Sequence, residues 1–357
     1  MKPQNTKAFF TPTEYTRFVV DVLRATGVNS AEAGVVAEGM LWADLRGRHT
    51  QGLNRLPNLF ERLSKGLIRS PAAMTWQDVA SAAAILDAAN GIGYVAGRRA
   101  ILKAVELASI QGVGLVAVRH SNHFGAAGYY CALAAEKGCL SFNYTNAVAK
   151  VAPYGGRKPV VGTNPIAFGC PTNGAGPLLV DLSTSAISGG AASATGDKGG
   201  RLSPGVALDA EGRPTQDPAE LKRGGCLMPA GGARGFGLGL MVEILSSILT
   251  GSAIGKEVGS MFFTWDRPVD VGHLFIAVDV ERFLPLSEFL ARLDKLLAWI
   301  TATPAMEGFE AVRIPGDIRA QFAEKFAREG IPVAQELQAP LWQLAQHCNL
   351  QLPWNHE

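Results

Sequence analysis

Residues 112–130 read GVGLVAVRHSNHFGAAGYY. The short apolar run after Gly112, rich in valine, has the pattern of a buried strand. Arg119, His120, Asn122 and His123 then crowd together where that strand ends, the place where α/β proteins usually build their sites. A histidine there can act as an acid or base near neutral pH. It can equally cap the helix that follows or bond backbone, and local pattern leaves both readings open.

Upstream, SAAAILDA reads as another buried strand, and a helix spans Val95 to Gln111, giving a strand–helix–strand alternation. Downstream, CLSFNYTN, PIAFG, LLVDLS and HLFIAVDV supply further strands between glycine- and proline-rich turns. RGFGLGLMVEILSSILTG reads as a long buried helix ended by Gly251, and residues 188–205 as a mobile small-residue loop. Helical periodicity fills Thr11 to Leu41, punctuated at Asn29-Ser30 with Ser30 as N-cap, and Leu56 to Lys65, closed by Gly66. It returns from Leu286, in SEFLARLDKLLAWI and AQFAEKFAREG. The expected organisation is a helical unit at 1–75, a mixed α/β middle at 76–285 and a helical part at 286–357. The two ends would pack as one discontinuous domain.

The chain has 357 residues, 47% of them hydrophobic and 18% charged, which excludes disorder. A formal net charge of +2 gives no reason to expect nucleic acid or an anionic membrane as partner. No uninterrupted run of eighteen apolar residues suggests a membrane span. MKPQNTKAFFTPTEY lacks the order of a signal peptide, so the expected location is cytoplasmic. The five scattered cysteines have no zinc spacing and read as small buried hydrophobes; no metal is expected.

Three further stretches could carry chemistry. RHTQGLNRLP at 48–57 holds two arginines and several hydrogen-bonding groups, either as an exposed turn or as the mouth of an anion site. In LLVDLSTSA, Asp181 precedes three hydroxyls, which could orient a histidine, bind ribose or hold phosphate, or merely form a turn. Thr163 in VVGTNPIAFG and Arg234 in GGARGFG are weak alone; an arginine among glycines can meet a phosphate or cap a carbonyl. There is no G-x-G-x-x-G opening a helix after the first strand and no P-loop, so a Rossmann reading fails.

In their order, ADLRG…GLNRLP, SNHFGAAGYY, YGG…VGTNPIAFG, VDLSTSA, PAGGARGFGLGLMVEIL, GHLFIAVD and RIPGD closely resemble the malate/L-lactate dehydrogenase family of the non-Rossmann type. That family includes ureidoglycolate, sulfolactate and diketogulonate oxidoreductases and piperideine/pyrroline-2-carboxylate reductases. The resemblance implies an α/β fold: a three-layer mixed-sheet nucleotide-binding domain with a helical subdomain formed from both termini. It also implies a homodimer with its cofactor near the subunit boundary.

Carried over by residue, His123 matches a proton donor or acceptor, Asp181 an acidic residue near it, and Arg55 the arginine on the substrate carboxylate. Leu182, Ser183, Thr184, Ser185 and Arg234 would line NAD or NADP, with NADPH slightly favoured, and Arg313, Gly316 and Asp317 would meet its adenine end. His49, Thr50, Asn122 and Thr163 fall beside the substrate. Three departures stand out. Gln51 replaces a family histidine that is a catalytic acid in several members, and an amide cannot deliver a proton. Arg234 replaces a lysine, and SGGAASATG replaces a bulkier, more basic stretch. The expectation is an NAD(P)-dependent oxidoreductase acting at C2 of a small 2-oxo, 2-hydroxy or cyclic 2-imino acid, in which Gln51 and Asn122 orient the reacting group and His123 with Asp181 handles the proton. The alternative is a redox-inactive relative serving as a lyase or isomerase on a small carboxylate.

Overall fold

The structure, a computed structural model, describes residues 8–354; residues 1–7 and 355–357, part of the expected terminal units, lie outside it. Helix α1, Pro12–Arg24, opens with a capping box in which Thr11 and Glu14 satisfy each other's free N–H groups. Helix α2, Ser30–Leu45, is capped by Asn29, whose side chain accepts from Glu32 N at 2.9 Å. Ser30 is therefore the first helical residue, not the cap. Of the two adjacent capping types, the one with extended backbone (φ −68°, ψ 157°) takes the role. Helix α3, Leu56–Ser64, starts with Pro57 in its first turn.

The middle of the chain builds a seven-stranded mixed sheet from β1 (Thr75–Ala80), β2 (Ala83–Asp87), β3 (Val113–Ser121), β4 (Cys139–Thr145), β5 (Ile166–Cys170), β6 (Leu178–Leu182) and β7 (Val271–Asp279). Its order is β1-β2-β3-β7-β4-β5-β6, and the single parallel pair is β2 with β3. Helix α4, Gly93–Gln111, makes that crossover, as the sequence pattern requires of parallel neighbours. Strand β1 carries no buried residue, so its TWQDVA has no apolar alternation to announce it.

Side chains alternate across the sheet. Leu86, Val116, Val118 and Phe275 pack under α4 and α5 (Ala127–Ala135), while Ile85, Leu115, Ala117 and Leu274 face the opposite layer. That second layer is made by α7 (Ala233–Glu243), preceded in the chain by the small helix α6 (Gly189–Asp197). Residues 189–197 are thus helical rather than a loop: Ser188 caps the first turn, accepting from Ala191 N at 3.2 Å, and Ala192 is buried. Glycine-rich composition hides this helix from propensity arguments.

The segment after Arg234 is not buried all round. It continues from α7 through a π-turn at Ile244–Ile248, and only one side packs on the sheet. Leu238, Met241, Ile244, Ile248 and Leu249 stay exposed. No element of the described residues covers them.

Helices α8 (Leu286–Thr301), α9 (Asp317–Glu329) and α10 (Gln335–His347) complete the chain; α8 has no buried residue. Phe9–Phe10 pairs antiparallel with Ile331–Pro332, and residues from α1, α2, α3 and α10 share one apolar core. The two ends of the polymer thereby meet. No helix of the described residues is long and apolar enough to cross a membrane.

Candidate active site

The end of β3 is pinned before it delivers His123. Asn122 is buried, its Nδ2 donating to Asn90 Oδ1 and Gly91 O, both at 2.9 Å. Beneath the loop lies the first residue of α4, Gly93, where a Cβ would sit 2.2 Å from Asn122 O. Only glycine allows that approach. Phe124 stacks flat on the buried His273, centroids 4.4 Å apart, and Ser121 and Thr145 bond the two nitrogens of that ring.

His123 itself lines a cleft, partly open to solvent, between the helical ends and the sheet. Its Nδ1 accepts from Gly125 N–H at 3.4 Å, and its Nε2 lies 2.8 Å from Gln51 Oε1. The geometry assigns the neutral ring proton to Nε2, which donates to Gln51. The Gln51 amide nitrogen remains available. Burial first, then the charge of Arg55 and the neighbouring His273, pushes the His123 pKa down to about 3.

The loop bearing Gln51 is fixed by a buried carboxylate. Asp44 accepts from Tyr15 O–H at 2.5 Å and Leu53 N at 2.7 Å, and its other oxygen lies 2.8 Å from His49 Nδ1. A Cβ on Gly52 would fall 2.0 Å from Asp44 Oδ2. Gly52→Ala is therefore expected to destabilise by about 1–3 kcal/mol and to displace Gln51. Urea unfolding checks it, and an unchanged midpoint would contradict this account of the loop.

Arg55 follows at the start of α3. Its guanidinium lies 5.0 Å from the Phe262 ring and makes no hydrogen bond or ion pair to any described residue; its buried Nε is unpartnered. Burial holds its pKa below the ordinary arginine value. Lys150 lines the same cleft, and burial and then Arg55 lower its pKa from the ordinary 10.5. No aspartate or glutamate among the described residues lines the cleft, so its charged side chains are cationic.

The other expected site residues divide. Thr163 lines the cleft, and its carbonyl accepts from Thr184 N at 3.0 Å and Thr184 Oγ1 at 3.2 Å. Thr184 and Ser185 are buried; Ser183 bonds Ser185 O and Ser185 bonds Ile187 O, while Leu182 stays 46% exposed. Thr50 packs against Gly190 in α6. His49 does not line the cleft: it leans on Asp44 and sits 5.9 Å from the Phe326 ring. Asn122 spends its amide nitrogen on backbone positioning rather than on the main cleft.

Asp181 also departs from expectation. Its carboxylate accepts from Gly128 N at 3.0 Å and pairs with Arg48 at 3.4 Å, and it makes no bond to His123. Antiparallel pairing with β5 aims that side chain at α5 instead. Arg234 is exposed and bonds to no described residue. Arg313 pairs with Glu310, Asp317 accepts from Ile314 N, and Gly316, with φ of 104°, packs against the backbone of Leu179 in β6. Sequence reading passed over Asp44, Lys150 and His273. Two lay in quoted motifs, and Lys150 interrupts the apolar run NAVAKVAP, a usable signal.

The buried imidazoles set an acid limit. His123 and His273 both titrate near 3 in the folded protein, below the ordinary 6.5. Between those values the unfolded chain binds protons that the native one does not, so stability rises with pH and is lost as pH falls. Each histidine contributes a slope of about 1.4 kcal/mol per pH unit. Melting points taken from about pH 7 to about pH 4 should fall steeply in the wild type and less steeply in His273→Gln. Parallel curves would count against this.

A seven-stranded mixed sheet with helices on both faces thus brings an imidazole, an amide and an unpaired guanidinium into one cleft. The malate/L-lactate dehydrogenase family model matches residues 10–341, and the chain belongs to that family. It is 35% identical over 344 residues to the malate dehydrogenase of Pyrococcus abyssi, covering 94% of each chain. It is 36% identical over 306 residues to the (2R)-3-sulfolactate dehydrogenase (NADP(+)) of Chromohalobacter salexigens, 86% of this chain and 89% of that one. The crystal structure of malate dehydrogenase from Entamoeba histolytica superposes with a TM-score of 0.93 at 30% identity, covering 98% of this chain and all of that one. Other relatives bear the names ureidoglycolate dehydrogenase and Δ1-piperideine-2-carboxylate reductase. The protein is thus an enzyme, a dehydrogenase or reductase of that family.

Proposed function

We propose that the enzyme moves a hydride between nicotinamide and C2 of a small 2-oxo or 2-hydroxy acid, or of a cyclic 2-imino acid. The observation that carries this is the unpaired Arg55 guanidinium in one cleft with the His123–Gln51 pair. Its planar fork suits a carboxylate. When bound, the nucleotide supplies or accepts the hydride.

The protein's own groups do the rest. Arg55 holds the carboxylate, and the free amide nitrogen of Gln51 donates to the reacting oxygen or faces the imine. To give up a proton, His123 must first carry two. Burial and Arg55 oppose that in the free protein, but a bound carboxylate neutralises Arg55, removing one cause of the low pKa. Substrate binding thus readies the acid. In the reverse direction the neutral imidazole accepts the proton, and the carboxylate held by Arg55 stabilises the imidazolium that forms. An iminium arrives already protonated, so a cyclic imine needs this acid least.

The residues suit a dinucleotide. Arg48 bonds Asp181 O, Arg319 bonds Gly47 O, and Gly316 abuts Leu179, so guanidiniums gather beside the exposed Leu182 at the end of β6. Leu182 offers a flat apolar contact, these cations offer phosphate contacts, and Arg313 and Asp317 flank Gly316 toward the adenine end. The number of cations supports NADPH over NADH. The bare apolar run of Leu238, Met241, Ile244 and Ile248 supports a homodimer, and a cytoplasmic location goes with this reading. Titration with NADPH and NADH, followed by loss of reduced-nucleotide absorbance with a panel of 2-oxo acids and cyclic imines, tests the proposal. A folded protein that binds neither nucleotide would favour a lyase or isomerase instead.

A further inference from the structure

We infer that Phe262 sets the affinity for the carboxylate on Arg55, and that Arg62 is the positioning residue that keeps the ring there by tying residues 259–269 to α3. This deepens the proposed function and rests on it only for the carboxylate that Arg55 holds.

Residues 259–269 form an Ω-loop just before β7. Its neck is closed by Gly259 N, which donates to Val269 O at 2.9 Å, and a Cβ on Gly259 would stand 2.8 Å from Val269 Cα. Between those ends the loop has little apolar anchorage, since Phe262, Phe263, Asp266, Arg267 and Pro268 are exposed. Arg62 supplies the tie. It follows Arg55 by about two turns along α3, is 1% exposed, and spends its donors on the backbone of the loop. Nη1 donates to Thr264 O at 2.7 Å and to Met261 O at 3.4 Å, and Nη2 donates to Arg267 O at 3.3 Å. The Trp265 ring lies against Arg62, at 5.4 Å, and Lys65, at 4.6 Å, and its Nε1 donates to Phe262 O at 3.0 Å. Burying a cation on neutral carbonyls is costly. What the fold gains is a fixed loop.

That loop delivers Met261, Phe262 and Val269 to the cleft that holds Arg55, Gln51 and His123. The centroid of the Phe262 ring is 5.0 Å from Arg55 Cζ. A ring over one face of a guanidinium leaves the edge, with its paired donors, open to a carboxylate, so ring and substrate add rather than compete. The ring also keeps water off that face, and an ion pair in drier surroundings is stronger. No hydrogen bond to a described residue fixes the plane of this fork, so the surface lying against it counts for more than it would on a tethered arginine.

Propionate, an inert monocarboxylate, titrated against the full-length protein and followed by ligand-detected NMR, tests this without turnover. Phe262→Leu keeps the apolar bulk but loses the π face, and should weaken binding about 3- to 30-fold, whereas Phe262→Tyr should stay within about twofold of wild type. Arg62→Met should cause a loss of the same size and raise deuterium uptake in a peptide covering 259–269 but not in β3 or β4. Because Arg62 acts through the ring, the double variant Arg62→Met, Phe262→Leu should bind no more weakly than either single one. A Phe262→Leu protein with wild-type affinity would overturn the inference, and so would losses that add in the double variant. The two Phe262 variants decide the matter even where Arg62→Met does not fold. If Phe262→Leu shows the stated loss but no 2-oxo acid or cyclic imine oxidises NADPH or NADH, it is the redox reading that fails, and the binding inference stands.

Discussion

Replacing Arg55 with methionine is expected to lower kcat/KM by about a thousandfold while raising the melting temperature of the ligand-free enzyme. The two effects have one origin. The guanidinium is desolvated, its Nε has no partner, and its pKa is held down by burial. Folding must therefore bury a charge that no described residue compensates, and an apolar isostere relieves that penalty. Binding is where the charge is repaid. Removing one partner of a desolvated ion pair costs about 3–5 kcal/mol, or about 10²- to 10⁴-fold in affinity for substrate and transition state. Arg55→Lys keeps the charge but loses the fork, so it should recover only part of the activity. Steady-state kinetics and thermal melts check both signs. A methionine variant within tenfold of wild type, or one that melts lower, would remove Arg55 from the substrate.

His123→Asn should reduce kcat for 2-oxo acids by about 10²- to 10⁴-fold, the range for losing a positioned acid–base group. The same variant should lose far less with a cyclic imine, whose nitrogen brings its own proton. The asparagine oxygen can still accept from Gly125 N–H where Nδ1 does, and the loss is compared between two substrates on one variant, so the comparison isolates proton transfer. The pH profile adds a second readout. With the anionic substrate bound, the imidazole should titrate above its free-protein value of about 3, because a neutralised Arg55 no longer opposes the imidazolium. The acid-side dependence of kcat should vanish in the variant. Equal losses for both substrate types would show that His123 only shapes the cleft.

Much of the fold was legible because it follows from local period. β3, β7, β4 and the α4 crossover are written in runs of apolar residues bounded by glycine, and the structure forms them where those runs lie. β1 escaped because none of its side chains is buried, so its residues carry no pattern. α6 escaped because its sequence is poor in helix formers and a serine cap with one buried alanine secures it. The face of α7 and its π-turn read as buried because hydrophobicity alone does not tell which element will cover it.

The site divides along the same line. Sequence by itself determined the class of chemistry: a histidine at a strand end, an amide where a titrating group would serve, an arginine opening a helix and the ordered motifs that resemble one family. Tertiary structure decided the company each keeps. It set His123 against Gln51 and Arg55, sent the Asp181 carboxylate to Arg48 and Gly128, and brought in Asp44 and Lys150. The reason is physical. Periodicity records which face of an element avoids water, whereas charge pairing and desolvation depend on distances between segments that lie over seventy residues apart along the chain, as Gln51 and His123 do.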